Sequence, residues 1–336
     1  MFYPWHESYR LRITRQFEQG RLAHAMLLSG PEHLGKFDFA FDLARLFLCK
    51  TDAVSSACGH CASCLLIAAA THPDLRIVRP EDSKQIKIEQ VRELIGSVSQ
   101  TAQRGGLKIA IVNPAEQMNH QSANALLKCL EEPSPNTLII LCSSRSASLL
   151  PTIRSRCQQY SFSTPERQIA LSWLAQNTRN KDQLDLLLDI AGGVPLVVSR
   201  KYEEAYLGSR NKIVKTLYKL LVEDSDPLEC ASVLQKLDGI EELDEVLEVM
   251  QTLISDCLKL ELVGDEKSCK NKDVALEITN IVKSCETSFL FKAFDRIGRD
   301  IRALRSTSNP NKSLLLEGLL IDLGTKQDLS FTEYSL

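Results

Sequence analysis

The sequence lacks any long hydrophobic run, and this absence is the first constraint on its function. No stretch of about 18 uncharged apolar residues occurs, which argues against a membrane-spanning helix. The N-terminal run MFYPWHESYRLRITRQ also lacks the apolar segment of a secretory signal peptide. We therefore expect a cytoplasmic protein that has no membrane role.

An excess of charge of one sign is absent as well. The 336 residues carry a net charge of −3, with 25% charged and 44% hydrophobic residues. This composition is close to the globular average, which disfavours a disordered chain, a collagen-like chain or a coiled coil. A nearly neutral chain gives no global sign of nucleic-acid binding. The length predicts two or three domains, and no fixed-period repeat is visible.

Cysteine is the residue in excess. The chain has 11 cysteines, and an odd number in an unexported protein favours free thiols or a metal site over disulfides. Cys49, Cys58, Cys61 and Cys64 follow the spacing C-x8-C-x2-C-x2-C, which is typical of a structural zinc knuckle with four thiolates. An iron–sulfur cluster and four unrelated buried thiols are the alternatives. His60 lies within the cluster, and we expect it to be a surface residue.

The hydrophobic pattern divides the chain into an α/β part and a helical part. Short apolar runs without polar alternation predict strands at 24–30, 75–78, 107–112 and 137–142, with helices at 36–49, 88–100 and 119–132 between them. This order indicates a parallel sheet covered on both faces. Beyond Tyr160 we expect no strands. Helices are predicted at 165–177, 183–191, 212–222, 227–237, 240–262, 274–285, 288–305 and 313–323.

A phosphate-binding loop is indicated where the first strand meets its helix. The run from Gly30 to Gly35 is followed by Lys36, as in a P-loop, whose glycines let backbone N–H groups surround phosphates. The next position should carry the Ser or Thr hydroxyl that holds Mg²⁺, but it is Phe37. The loop is therefore degenerate.

The second element of an ATPase is missing too. An acidic pair should follow the strand at 107–112, yet that strand ends in Asn113-Pro114. Glu116 lies past the proline, and we expect it to be solvated. Because both elements fail, the sequence predicts a P-loop fold that does not hydrolyse ATP. Lys36 remains, so weak nucleotide binding stays open.

Several motifs together carry a family resemblance. They are the run SANALLKCLEEP at 122–133, the run LLPTIRSRC at 149–157, the sequence Thr71-His-Pro-Asp74 after the cysteine cluster, and the run at 309–320. With the cysteine spacing, this combination resembles the clamp-loader AAA+ proteins of bacterial DNA polymerase III. The resemblance implies an AAA+ P-loop domain at 1–163 that contains a zinc knuckle at 49–64, a small helical lid domain at 164–207 and an all-α collar domain for oligomerisation at 208–330.

The resemblance also implies a function. It predicts a non-hydrolysing subunit that scaffolds a pentamer with the gamma/tau and delta subunits, and that reaches the sliding clamp and primer–template DNA through this complex. Its Ser155-Arg156-Cys157 motif would complete the ATP site of a neighbouring subunit, with Arg156 as an arginine finger and Arg154 ranked well below it. The alternative is an active ATPase like gamma/tau. A free-standing zinc protein that binds DNA is less favoured, because Lys50 is the one clear cation in the cysteine segment.

Two further family positions are less defined. The first is the polar sensor residue after the strand at 137–142, which corresponds to Ser143 or Ser144. The second is the sensor arginine of the lid, where the turn at 192–198 carries no arginine before Arg200. This departure agrees with the predicted loss of hydrolysis.

Overall fold

The computed structural model describes residues 2–51, 56–81, 85–178, 183–201, 204–237, 242–265, 268–305 and 310–325. It separates the chain into two compact units, residues 1–170 and 171–336. The division into three domains, with boundaries at 163/164 and 207/208, stays a prediction. The second of these boundaries falls inside one continuous helix, at 204–222.

A five-stranded parallel sheet forms the centre of the first unit, with the order β2-β3-β4-β1-β5. Its strands are β1 Ala25–Ser29, β2 Leu75–Val78, β3 Lys108–Val112, β4 Thr137–Ser143 and β5 Gln158–Ser161. Every residue of β1, β3 and β4 is buried, whereas the edge strands β2 and β5 are partly exposed. Both faces of the central strands are therefore covered, as the uninterrupted apolar runs predict.

Six α-helices of the described residues belong to the first unit, and a seventh crosses its end. They are α1 Glu7–Glu18, α2 Lys36–Leu48, α3 Ala62–Ala68, α4 Ile88–Ser99, α5 His120–Glu131, α6 Pro151–Arg156 and α7 Arg167–Asn177. α4, α5 and α6 bury Leu94, Leu126 and Ile153 in one cluster with β1, β3 and β4. α2 also contacts β3 and β4, and its Leu43 side chain is fully buried.

A capping residue and a proline explain where α5 begins and ends. Its first turn is capped by Asn119, whose side-chain oxygen accepts the backbone N–H of Ser122 at 2.8 Å. The helix ends before Pro133, which cannot continue a helical hydrogen-bond ladder.

No strand was predicted at β5, although β5 ends only one residue beyond Tyr160, the point after which no strands were expected. This strand has the sequence Gln-Gln-Tyr-Ser, and only Tyr160 is buried in it. It pairs with β1 in parallel register through the backbone, so its position depends on hydrogen bonds that apolar patterning does not report. The N-terminal helix α1 was also not predicted, because it is mostly polar and buries only Ile13 and Thr14.

The second unit is helical throughout its described residues. After α7 come α8 Leu184–Ile190, α9 Pro195–Lys201, α10 Glu204–Val222, α11 Pro227–Leu234, α12 Leu243–Val263, α13 Ala275–Ser284, α14 Thr287–Arg305 and α15 Lys312–Gly324. Buried side chains of α10 to α15 form one core cluster. Asn309 of the family-like run at 309–320 lies outside the described residues, and Asn311 caps α15. Among the described helices, none has both the length and the apolar character needed to cross a bilayer.

Candidate functional site

The predicted phosphate loop lies between β1 and α2, which is the context that a P-loop requires. Two glycines of this loop have backbone angles and close neighbours that leave no room for a side chain. Gly30 has φ 139°, and a Cβ there would collide with the carbonyl oxygen of Phe162. Gly35 has φ 78° at the N-cap of α2, and a Cβ there would lie 2.6 Å from the Tyr3 ring. The loop backbone therefore has a conformation that only glycine can adopt at these two positions without strain.

The Lys36 ammonium is hydrogen-bonded to the protein itself. It would have to break these hydrogen bonds to reach a phosphate. Its Nζ donates hydrogen bonds to the carbonyl oxygens of Gly30 at 2.8 Å and Pro31 at 2.5 Å, and to Ser144 Oγ at 3.1 Å. An ammonium group has three protons, so these contacts use its full donor capacity. Burial lowers the pKa of Lys36, while the nearby Cys142 and Glu116 oppose this shift.

The position after Lys36 is apolar. The guanidinium of Arg79 lies 3.8 Å from the centroid of the Phe37 ring, and the ring of Phe41, one helical turn later, stacks on Phe37 with ring centroids 6.0 Å apart. A cation over an aromatic face is attracted by the ring quadrupole. A positive side chain thus covers the residue that stands where a Mg²⁺-binding hydroxyl would be needed.

The expectation that Glu116 is solvated is wrong. Glu116 is half-buried, and its Oε1 accepts the backbone N–H of Ser144 at 2.9 Å. Its Oε2 is buried without a hydrogen-bond partner among the described residues. Ser144 therefore connects Glu116 to Lys36, because the Ser144 hydroxyl accepts the Lys36 ammonium. Of the two serines considered for the sensor position, Ser144 contacts the loop lysine, and the Ser143 hydroxyl accepts the N–H of Arg145.

An aromatic cluster at the N-terminus covers the same loop. The rings of Tyr3 and Trp5 stack with centroids 4.9 Å apart. The Tyr3 hydroxyl donates to Asp38 at 2.9 Å, and Trp5 Nε1 donates to the carbonyl oxygen of Leu34 at 3.2 Å. His6 Nε2 lies 2.8 Å from that same oxygen. Patterning did not assign these residues to the site; the density of aromatic residues in the first six positions was the available signal.

The Ser155-Arg156-Cys157 motif lies at the end of α6. Arg156 Nη2 lies 2.7 Å from Glu131 Oε1, and Arg156 Nη1 donates to the carbonyl oxygen of Thr152 at 3.0 Å. The Arg156 side chain is 35% exposed, so its guanidinium is held on one side and open to solvent on the other. Ser155 is exposed, whereas Cys157 is buried and burial raises the pKa of its thiol to about 11.

The four clustered cysteines come together in space. Their Sγ atoms all lie within 4.8 Å of one another, with 4.0 Å between Cys49 and Cys61 and 3.9 Å between Cys58 and Cys64. A tetrahedral ion with metal–sulfur bonds of about 2.3 Å would separate its sulfurs by about 3.8 Å. The cluster therefore fits a single metal ion bound by four thiolates. His60 is exposed, as predicted, and its Nδ1 lies 2.9 Å from the Cys58 carbonyl oxygen.

Backbone amides within the cluster favour the thiolate form of Cys58. Hydrogen bonds from the backbone at His60 and Cys61 lower the pKa of Cys58 to about 5. Burial raises the pKa of Cys64 to about 12, a penalty that a bound divalent cation would reverse because it deprotonates a coordinating thiol. Lys50, next to the first cysteine, donates to the carbonyl oxygens of Arg104 and Gly105 at 3.0 and 2.8 Å, which fastens the cluster to the loop before β3.

Comparison with known proteins adds independent findings. A family model described as DNA polymerase III, delta subunit, matches residues 5–166, and one described as DNA polymerase III, delta subunit, C terminal, matches residues 204–325. The chain is 34% identical to DNA polymerase III subunit delta' of Pseudomonas aeruginosa, over 95% of this chain and 96% of that protein. It is also 34% identical to subunit delta' of Haemophilus influenzae, over 78% and 79% of the two chains.

A solved structure is similar over a comparable length. A DNA polymerase III gamma subunit-related protein of Thermotoga maritima aligns with 94% of this chain and 99% of its own, at 20% identity and a TM-score of 0.48. This similarity is too distant to define the fold, which the strand order and the helices of the chain itself describe.

Proposed function

The chain belongs to the family of DNA polymerase III delta' subunits, and from this premise we propose that it is a non-hydrolysing AAA+ subunit of a clamp loader. In that role it works with gamma/tau and delta subunits to load a sliding clamp onto primed DNA. It scaffolds the complex and contacts the clamp and the DNA through its partners. The motifs at 122–133 and 149–157 support this assignment beside the family membership.

One observation carries the absence of hydrolysis: Lys36 is already saturated by the protein. Its three hydrogen bonds to Gly30, Pro31 and Ser144 leave no donor for the β- and γ-phosphates. A nucleotide would have to break these bonds before the lysine could stabilise a transferring phosphoryl group. Phe37 and Asn113 supply no carboxylate or hydroxyl for Mg²⁺. ATP binding is therefore weak or absent, and hydrolysis has no metal site.

Arg156 is proposed to act outside its own chain. A guanidinium supplied by a neighbouring subunit can stabilise the charge on a γ-phosphate and raise the rate by about 10³–10⁵. Arg156 suits this role because its guanidinium is partly exposed and its planar fork matches phosphate oxygens. Ser155 and Cys157 flank it, one exposed and one buried, so the motif has a surface side and a core side.

The cysteine cluster is proposed to hold zinc in a structural role. Four thiolates at tetrahedral spacing leave no open coordination position, so this metal would fix the fold of residues 49–64 rather than take part in chemistry. Metal analysis of the purified full chain should find one zinc ion per chain. Cys61→Ser should lose it, while Cys285→Ser, outside the cluster, should retain it. Iron with acid-labile sulfide instead would overturn the zinc assignment.

The test of hydrolysis compares the isolated full chain with its Lys36→Ala variant. We expect no ATP turnover by either protein and no saturable heat of ATP binding in calorimetry at low micromolar nucleotide. Robust turnover that disappears in Lys36→Ala would overturn the proposal and favour the alternative, an active ATPase like gamma/tau.

The test of Arg156 uses the reconstituted complex with the gamma/tau and delta subunits. Arg156→Ala should assemble normally and sharply lower the ATPase rate that DNA and clamp stimulate. Arg154→Ala is the matched control, because the carbonyl of Arg154 accepts a hydrogen bond from Gln159 and that contact survives loss of its side chain. An unchanged rate with Arg156→Ala would refute the finger.

A further inference from the structure

The guanidinium of Arg156 lies at the protein surface but is not free to move. It is held at two points, by the Glu131 carboxylate at 2.7 Å and by the Thr152 carbonyl oxygen at 3.0 Å. We infer that Glu131 is a positioning residue, which orients Arg156 for the γ-phosphate of a nucleotide bound to the neighbouring subunit. This inference rests on the proposed role of Arg156 and assigns the side chain that prepares it.

The two anchors come from rigid parts of the first unit. Glu131 is the last residue of α5, and Thr152 belongs to the same short helix as Arg156. Just inside these ends, Leu130 and Ile153 are buried in one hydrophobic cluster, so the two helix ends are fixed relative to each other. A carboxylate on one fixed helix and a guanidinium on the other restrict the arginine to a small range of rotamers.

The remaining hydrogen-bonding capacity of Arg156 fits this role. A guanidinium has five N–H donors in a planar fork. One donor on Nη1 meets the Thr152 carbonyl oxygen, and Nη2 faces Glu131. The other N–H groups stay available for phosphate oxygens, and 35% of the side chain is exposed to receive them. Glu131 therefore orients the fork without using all of it.

The contact contributes more to orientation than to stability. Both side chains are well exposed, at 35% for Arg156 and 48% for Glu131, and ion pairs this exposed stabilise a fold very little. Orientation is different, because an arginine ordered in advance loses less conformational freedom when a phosphate arrives. Replacement of Glu131 should therefore lower the rate of ATP hydrolysis by the complex but leave the stability of the chain almost unchanged.

Glu132 offers a matched control one residue away. It has the same charge and is exposed, and no contact with Arg156 is found for it among the described residues. Replacing either glutamate by alanine removes one negative charge from the end of α5. A difference between Glu131→Ala and Glu132→Ala is therefore specific to the contact with Arg156.

The experiment measures ATP hydrolysis by the reconstituted complex in the presence of clamp and primed DNA. The quantity compared is the part of the turnover that Arg156→Ala removes. We expect Glu131→Ala to lower this part about tenfold in kcat with an unchanged KM for ATP, less than the loss of about 10²-fold for a misplacement of a full ångström. Glu131→Gln should recover most of it, because its amide oxygen still accepts the guanidinium. Glu132→Ala should match wild type.

Combination with Arg156→Ala separates positioning from other effects. The double variant Glu131→Ala/Arg156→Ala should be no slower than Arg156→Ala, because there is no guanidinium left to orient. Full additivity of the two losses would overturn the inference, as would a Glu131→Ala complex that behaves like Glu132→Ala. If Arg156→Ala itself has no effect, the proposed finger fails together with the inference. If Arg156→Ala slows the complex and Glu131→Ala does not, only the inference fails.

Discussion

The ion pair between Arg210 and Asp273 provides a stringent test of what stabilises the helical unit. Arg210 lies in α10 with its side chain only 1% exposed. Its Nη1 lies 2.7 Å from Asp273 Oδ2, and its Nη2 donates to Asp273 Oδ1 at 2.9 Å. The same Nη2 donates to Asn271 Oδ1 at 2.8 Å. The pair therefore fixes α10 to the connection between α12 and α13.

Removal of the carboxylate should leave a buried guanidinium with too few partners. Breaking one side of a buried pair costs about 3–5 kcal/mol, because the remaining charge is not hydrated. Asp273 is 24% exposed, so water can reach part of the site and the lower end of that range applies. We expect Asp273→Ala to lower the free energy of unfolding by about 3 kcal/mol, which corresponds to roughly 10 °C in Tm.

A second ion pair in the same unit serves as the control. Lys312 and Glu242 approach to 2.5 Å, closer than the pair at Arg210, but their side chains are 55% and 61% exposed. Exposed pairs contribute at most about 1 kcal/mol, whatever their distance. Glu242→Ala should therefore change the free energy of unfolding by less than about 1 kcal/mol.

The stability of both variants is measured on the full chain. Circular dichroism follows its unfolding in urea, and calorimetry follows its thermal unfolding. Two probes are needed because a chain with two compact units need not unfold in one step. An equal loss of stability in Asp273→Ala and Glu242→Ala would refute the reasoning, since it would mean that distance and not burial determines the contribution. Arg210→Met should cost less than Asp273→Ala, because it removes the buried charge itself.

Two further predictions concern the first unit. Gly35→Ala should destabilise it by about 2 kcal/mol more than Gly20→Ala. Both glycines have φ near +70°, but a Cβ at Gly35 would lie 2.6 Å from the Tyr3 ring, whereas a Cβ at Gly20 would meet no atom within 4 Å. Equal losses of stability in calorimetry would contradict this predicted clash. Burial lowers the pKa of His6 to about 4, below its unfolded value, so stability should be unaffected above about pH 6.5 and should fall by about 3 kcal/mol as the pH drops to 4. His6→Gln should remove this part of the acid dependence in urea titrations, and an unchanged dependence would contradict the buried neutral histidine.

The sequence specified most of the α/β layer because its signals are local. The strand Leu75–Val78 is found at its predicted bounds, and the helix predicted at 119–132 begins and ends within one residue of α5. Apolar runs without alternation require burial on both faces, and a proline ends a helix wherever the chain goes next. The cysteine cluster is local in the same sense, because C-x2-C spacing places two thiols close together in space.

The tertiary structure decided the features that depend on distant residues. β5 is a polar edge strand, and its pairing with β1 joins residues more than a hundred positions apart. Glu116 and Ser144 meet across the ends of neighbouring strands, which no pattern around either residue reports. Burial of a polar group is recognisable only when its partner is known, so the expectation of a solvated Glu116 had no local sign of its error.

The loop between β1 and α2 illustrates the division most directly. The sequence alone determined that the run from Gly30 to Lys36 carries two glycines and a lysine, that Phe37 has no hydroxyl and that Asn113-Pro114 has no acid, since these are properties of residue type. Only the tertiary structure decided that Lys36 is bound by Gly30, Pro31 and Ser144 and that Arg156 is held by Glu131. The physical reason is that a side chain's chemistry is fixed by its own atoms, whereas its hydrogen-bond partners are fixed by the packing of strands and helices far apart in the chain.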